Sequence, residues 1–474
     1  MIRLHSARLF RADLRTRMPF RYGIATMTEL PHVFLATEWE IDGRLAQGLA
    51  SENLPPKWFT KEPEKDPLEE IGEMEAVVVE ACNAAKHLVS ESPFAFWLAL
   101  YDGLITPPRR PALLQHLGVS LVERAMLDAF CRHHQTPLWQ LVRDDRLGID
   151  LGKLSPVLAG RKPSEFLPRH PLAEATLRHT VGMADPLREA DIPAAERLND
   201  GLPQSLEACI AAYALREFKL KLCGDAEADL ARLRATAAVL TACCHDGFAF
   251  SLDGNEQFGS PGQLRAFGER VMADPALAGF FEHLLFIEQP VSRKAALAPD
   301  AGSVGDAWPR PVSIIIDESD GALADLPRAL ELGYAGVSQK NCKGVFKGIR
   351  NRCLLGAWQE RHPERRFLMT GEDLANIGPV ALLQDLAVQA LLGNASIERN
   401  GHHYFRGLSA WPQEWQPATC TAHPDLYAPH PAHGWPALQV AAGRIALGSV
   451  NAAPFGVGPH FDPSFHFAEI HIHR

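Results

Sequence analysis

The chain has 474 residues, 46% hydrophobic and 22% charged, and its 47 basic against 57 acidic residues give a formal net charge of −10. That length predicts two domains, or one large domain with additions, and the acidic balance without any Lys/Arg-rich block argues against a nucleic-acid partner. No run approaches eighteen uninterrupted apolar residues, so no membrane helix is expected.

The chain opens on strand-like sequence. Leu4 to Phe10 partly alternates, Val33 to Ile41 reads as a strand, and Asp42-Gly43 is a hairpin signal before Arg44 to Ser51. Met1 to Arg17 alternates charged and apolar residues, unlike a signal peptide. From Pro67 to about Leu141 the spacing turns helical, with Ile71, Met74, Val77 and Val78 on one face and Leu121, Ala125 and Leu127 to Phe130 on another. Residues 1–150 are therefore expected to form an α+β capping domain.

From about Leu151 strands and helices alternate. Thr176 to Val181 reads as a first barrel strand, Asp185 to Pro203 as a loop insertion, and Leu206 to Leu215 as a helix leading to the strand that carries Lys219. Later helices fall at Asp229 to Leu240 and Leu323 to Leu332, and later strands at Arg366 to Thr370 and Ala395 to Arg399. The expected fold is a (β/α)8-type barrel over residues 151–408, with residues 409–474 as a C-terminal segment returning to the cap. That segment is rich in Pro, His and Trp, and ends in His471 and His473, which are too near a terminus to argue for a metal. The nine cysteines are scattered without a CxxC pair, which predicts a reducing, cytoplasmic setting.

Five short apolar runs end in charge. Lys219 and Lys221 close one, Asp253, Glu288 and Asp317 close the next three, and Lys340 closes the fifth. The separations from Lys219 onward are 34, 35, 29 and 23 residues, near the roughly 31 residues per unit of an eight-unit barrel. Barrel enzymes carry their catalytic groups at these C-terminal strand ends.

Three carboxylates without His or Cys are hard oxygen ligands that suit Mg²⁺, which would also relieve their mutual repulsion. The same groups could instead close a salt-bridge network with the lysines. In the Lys-X-Lys pair both side chains share one strand face, and a neighbouring cation lowers a lysine's affinity for its proton. Lys221 is thereby a candidate base.

This ordered set resembles the enolase superfamily and, within it, the mandelate racemase/muconate lactonizing enzyme group. The matching residues are Phe218-Lys219-Leu220-Lys221, Leu252-Asp253-Gly254-Asn255, Ile287-Glu288-Gln289-Pro290, Ile316-Asp317-Glu318-Ser319 and Gly336-Val337-Ser338-Gln339-Lys340. The resemblance implies that Asp253, Glu288 and Asp317 bind Mg²⁺, and that Lys221 and Lys340 face each other across a small carboxylate substrate. Lys219 would tune Lys221 or touch the substrate carboxylate. Asn255 and Glu318 would line the site, and Glu372 would orient a ligand or act as an acid. The implied chemistry is abstraction of a proton next to a carboxylate through an enediolate, leading to dehydration, racemisation or epimerisation, or cycloisomerisation. Acid-sugar dehydration and epimerisation are the preferred outcomes. A homo-oligomer is also implied.

Departures from the family pattern lie in Asn341-Cys342-Lys343-Gly344-Val345, where Lys343 reads as a loop residue. They continue in Thr370-Gly371-Glu372-Asp373 and Glu398-Arg399-Asn400-Gly401-His402-His403, whose two histidines read as structural lining of the mouth. Cap loops at Arg15 to Thr28 and Glu52 to Trp58 should close over the site, with Arg17 or Arg21 available to a distal anion. Two alternatives stand beside this reading. One is a metal-dependent hydrolase on a similar barrel, for which His179 lacks the usual His-X-His partner. The other is a non-catalytic relative that serves as a binding protein.

Overall fold

A computed structural model describes residues 1–472 of the chain, apart from 278 and 300. Strands β1 (Ile2–Tyr22) and β2 (Ala25–Ile41) form one long antiparallel hairpin, and β3 (Arg44–Asn53) pairs with β2. The turn between β2 and β3 has positive φ at both Asp42 and Gly43, the conformation that an Asp-Gly hairpin favours. The first strand therefore runs far beyond Leu4 to Phe10. Its pairing with β2 slips between Arg15 and Phe20, and that irregularity breaks the period-two pattern that would have marked the hairpin's distal half.

Helices α1 (Pro67–Ala85), α2 (Pro93–Ile105) and α3 (Ala112–His134) pack against this sheet. Asp66 caps α1 by accepting from the Leu68 N–H, with Pro67 at the first helical position. Every residue of α3 from Leu113 to Cys131 is buried, because the helix lies between the cap sheet and the barrel. Glu123 on its barrel side accepts from the N–H groups of Val345 and Phe346 at 3.0 and 2.7 Å. Close approach explains Gly118: a β-carbon there would stand 2.1 Å from the Val77 carbonyl oxygen of α1. Gly118→Ala is expected to cost about 1–3 kcal/mol by overpacking, read as a lower urea midpoint; an unchanged midpoint would show that α1 and α3 separate freely.

The barrel strands are β4 (Glu174–Val181), β5 (Glu217–Lys221), β6 (Ala249–Asp253), β7 (Leu284–Glu288), β8 (Ser313–Ile316), β9 (Gly336–Gln339), β10 (Leu368–Gly371) and β11 (Ser396–Arg399). Each pairs in parallel with the next, and β11 pairs in parallel with β4, which closes the ring. Between them run helices that include α4 (Leu206–Tyr213), α5 (Ala226–Cys243), α6 (Pro261–Ala273), α7 (Asp325–Glu331), α8 (Val345–Arg361) and α9 (Ala381–Leu392). The tail adds β12 (Arg444–Ala446) antiparallel to β4, and β13 (Ala468–Ile470) antiparallel to Leu9–Arg11 of β1. The C-terminal segment thus returns to the cap sheet. No helix among the described residues is long and apolar enough to cross a membrane.

Strand alternation decides which side chains meet. On β4, Arg178 and Thr180 point into the barrel, where they bind Glu372 and Glu398. His179 between them points outward to the helix layer.

Candidate active site

Sequence-predicted residues converge at the C-terminal mouth of the barrel. A small pocket there is lined by Lys219, Lys221, Asp253, Asn255, Asp317, Glu318 and Lys340 from the barrel. Phe20, Tyr22, Met27, Pro55 and Trp58 close it from the cap. Glu288 and Glu372 lie just below, within reach of Lys219. In a ring of eight strands, β5 with Lys221 and the strand end after β9 with Lys340 stand four strands apart, on opposite walls. Asp253, Glu288 and Asp317 follow the three strands on one arc between them.

Lys219 is the electrostatic hub. Its Nζ lies 2.7 Å from Glu372 Oε2, 2.8 Å from Glu288 Oε2, and 3.1 Å from both Asp253 Oδ2 and Glu398 Oε2. Burial pulls its pKa down, but the surrounding carboxylates outweigh burial and hold it well above the ordinary lysine value. Lys221 shares Asp253 Oδ2 at 2.8 Å and donates to Asn255 Oδ1 at 3.2 Å. Asn255 also accepts from the Gly23 N–H at 3.2 Å, tying the hairpin turn of the cap to the barrel mouth.

Across the pocket, Lys340 pairs with Asp317 Oδ2, and its ammonium sits 4.9 Å from the Trp58 ring centre. Lys343 corrects the loop reading. It is fully buried, and its Nζ donates to Asp317 Oδ1 and to the Asp317 carbonyl, both at 2.7 Å. The short helical turn Asn341–Lys343 folds it back beneath the site. Burial works against Asp317 ionising, yet Lys340 and Lys343 together hold its carboxyl well below the usual range. Glu318 is pushed up to about 7, by burial and then by Asp317.

Three further groups complete the barrel interior and carry no local sequence signal. Arg178 pairs with Glu372, Glu398 receives Lys219, Thr180 and the Asp373 N–H, and Ser338 Oγ bonds Asp317. Other predicted candidates lie elsewhere. Arg17 is locked on Asp200 at 2.7 Å and on the carbonyls of Leu202, Pro203 and His403, so it is not free for a substrate anion. Arg21 lines a separate surface crevice. His402 and His403 sit behind the barrel wall rather than at the active-site pocket, and His473 lies outside the described residues.

The residue set suits a hard cation. Both Glu288 carboxylate oxygens are buried and, among the described residues, accept no hydrogen bond, so the charge they meet there is the ill-aligned ammonium of Lys219. Burial and then Glu372 raise the Glu288 pKa well above the normal value, as expected for an acid in want of a counter-charge. In this structure lysine nitrogen links the three carboxylates, Lys219 bridging Asp253 and Glu288 while Lys340 and Lys343 take Asp317. The salt-bridge network and the expected ligand set are therefore the same residues.

A closed parallel barrel under a strand-rich cap is a fold that this chain shares with solved structures of an enolase, a cycloisomerase and a dipeptide epimerase. Solved structures with this fold are similar along nearly the whole chain. A 2-chloromuconate cycloisomerase from Rhodococcus opacus matches at 15% identity, covering 94% of each chain with a TM-score of 0.60. An enolase from Bradyrhizobium, solved with magnesium and mandelic acid, matches at 14% identity over 98% of this chain and 97% of its own, TM-score 0.59. A dipeptide epimerase from Enterococcus faecalis, complexed with Mg and L-Leu-L-Tyr, matches at 14% identity over 94% and 99%, TM-score 0.57. No protein-family model and no curated protein matches the sequence.

Proposed function

We propose that this protein is a Mg²⁺-dependent enzyme of the enolase superfamily that removes the proton alpha to the carboxylate of a small substrate, with racemisation or epimerisation as the favoured outcome. The observation that carries this reading is the placing of Lys221 and Lys340 on opposite walls of one pocket, beside Asp253, Glu288 and Asp317. Asp253, Glu288 and Asp317 would hold Mg²⁺, which when bound stabilises negative charge on the substrate carboxylate. Lysine supplies the rest of the chemistry. One of the opposed pair takes the alpha proton from its own face, and the other returns a proton to the far face, which inverts the carbon. Lys219 keeps its positive charge close to the developing enediolate and holds Glu288 and Glu372 in place.

The lid narrows the substrate class. Phe20, Met27, Pro55, Trp58 and Leu374 give the pocket an apolar roof, and the Tyr22 hydroxyl is already spent on the Pro56 carbonyl at 2.9 Å. A polyhydroxylated acid sugar would leave its hydroxyls unpaired there, which weighs against acid-sugar dehydration. N-acylated amino acids and dipeptides with an apolar side chain fit this roof better than muconate-like diacids. Cycloisomerisation shares the first proton transfer and remains the second reading. The hydrolase alternative loses support, because His179 faces the helix layer and not the pocket. All nine cysteines are free thiols, which supports a cytoplasmic location; a homo-oligomer rests on the resemblance alone.

The test is proton exchange in D₂O with Mg²⁺, followed by NMR over separate pools of N-acyl amino acids, dipeptides, muconate-like acids and acid sugars. Deuterium is expected at the alpha carbon of the first two pools, together with the inverted epimer. A folded, Mg²⁺-supplemented protein that exchanges no alpha proton in any pool would sink the proposal.

A further inference from the structure

Behind the active site, on the outer side of β4, a second set of ligating side chains meets. His179 comes from β4, Cys209 from α4, and His403 from the short helix that follows β11. All three are buried, and each offers a ligand atom within 4.8 Å of the other two. The Cys209 Sγ lies 3.4 Å from His403 Nδ1. A tetrahedral zinc ion with bonds of about 2.3 Å to sulfur and about 2.05 Å to nitrogen would set that edge at about 3.6 Å.

The surroundings of these residues resemble those of ligands too. His403 turns its Nε2 toward Asp185 Oδ2 at 3.9 Å, the side on which ligating imidazoles keep a carboxylate. Asp185 is itself positioned by the Tyr404 hydroxyl at 2.6 Å and the Gly182 N–H at 2.7 Å. His179 Nδ1 lies 3.2 Å from His402 Nε2, and the other nitrogen of His402 is buried without a partner. Four buried histidine and cysteine side chains in mutual contact, with a carboxylate behind one ring, are poorly explained by packing alone. Apolar residues would fill the space at lower desolvation cost.

We propose that His179, Cys209 and His403 bind a thiolate- and imidazole-preferring divalent ion, of which Zn²⁺ is the best match, at a site distinct from the carboxylate centre in the barrel. Binding replaces the Cys209 S–H bond with a metal–sulfur bond and releases that proton to solvent. The two imidazoles bind as neutral ligands, and a water completes four-coordination. The role is structural. The ion would tie the first barrel strand to the segment after the last, at the seam where the ring closes, and Arg17 of the cap hairpin donates to the His403 carbonyl at 3.0 Å on the same segment.

The experiment uses the full chain stripped with chelator and given one equivalent of Co²⁺. A thiolate-to-cobalt charge-transfer band with four-coordinate d–d bands is expected, bleached by Zn²⁺ and lost in Cys209→Ser and His403→Gln. Glu288→Gln, at the carboxylate centre, should keep the band. X-ray absorption at the zinc edge of the wild-type protein needs no variant, and should show one sulfur and two imidazole nitrogens at about 2.3 and 2.0–2.1 Å. A first shell without sulfur, no charge-transfer band in the wild type, or a band that survives Cys209→Ser would each overturn the proposal.

Discussion

Lys221→Ala and Lys340→Ala are each expected to lower alpha-proton exchange about 10²–10⁴-fold, but from opposite epimers of the substrate. The expectation follows from position. The two ammonium groups are held by different carboxylates, Lys221 by Asp253 and Lys340 by Asp317, and neither residue bridges to the other's wall. Removing one base therefore leaves the other addressed to its own face of the substrate carbon. Each variant should still wash deuterium into the epimer whose alpha proton faces the surviving lysine, while inversion fails in both. Following each pure epimer in D₂O by NMR separates the cases. If both variants lose exchange from both epimers, a single base is at work and cycloisomerisation or elimination takes over as the reading. If both keep wild-type exchange, the lysines are not the bases at all. Loss through misfolding is guarded against by Lys343, which still pairs with Asp317 when Lys340 is truncated.

Charge at strand ends made much of this site readable from sequence. Lys221, Asp253, Glu288, Asp317 and Lys340 each close an apolar run, and a closed parallel ring turns regular spacing along the chain into convergence at one mouth. Arg178 and Glu372 were not readable as a pair, since they are 194 residues apart, one inside the first barrel strand and the other just past the end of the seventh. Lys343 was read only as a loop residue because a three-residue helical turn folds it back, and nothing in Asn341-Cys342-Lys343 announces that reversal. The cap hairpin was underestimated for a different reason. Its register slip between Arg15 and Phe20 shifts the alternation by which a strand is recognised. The His179, Cys209 and His403 cluster has no motif spacing, because three separate elements supply it. Composition likewise could not show that Arg17 is consumed by Asp200, a contact across 183 residues. What sequence conveys well is which residues end strands. Which partner neutralises a buried charge is a property of the closed barrel.

Glu288→Gln is expected to stabilise the metal-free protein by about 1–2 kcal/mol while abolishing its response to Mg²⁺ and its activity. The carboxylate is fully buried, has no hydrogen-bond donor among the described residues, and shares one lysine with Asp253, Glu372 and Glu398. Such a group destabilises the fold because it divides one ammonium with three other carboxylates, and is tolerated where function requires it. An amide of the same shape removes one negative charge from the crowd and brings N–H groups that the neighbouring carboxylates can accept. Urea unfolding without divalent cation should show a higher midpoint for the variant. Adding Mg²⁺ should then raise the midpoint of the wild type and leave the variant unmoved, since ligand that binds only the native state adds stability by mass action. A variant less stable than wild type in the absence of metal would mean that the Lys219 contact already satisfies Glu288. In that case the buried carboxylates are a finished salt-bridge network rather than a set of ligands awaiting a cation, and the binding-protein reading would gain the ground that the enzyme reading lost.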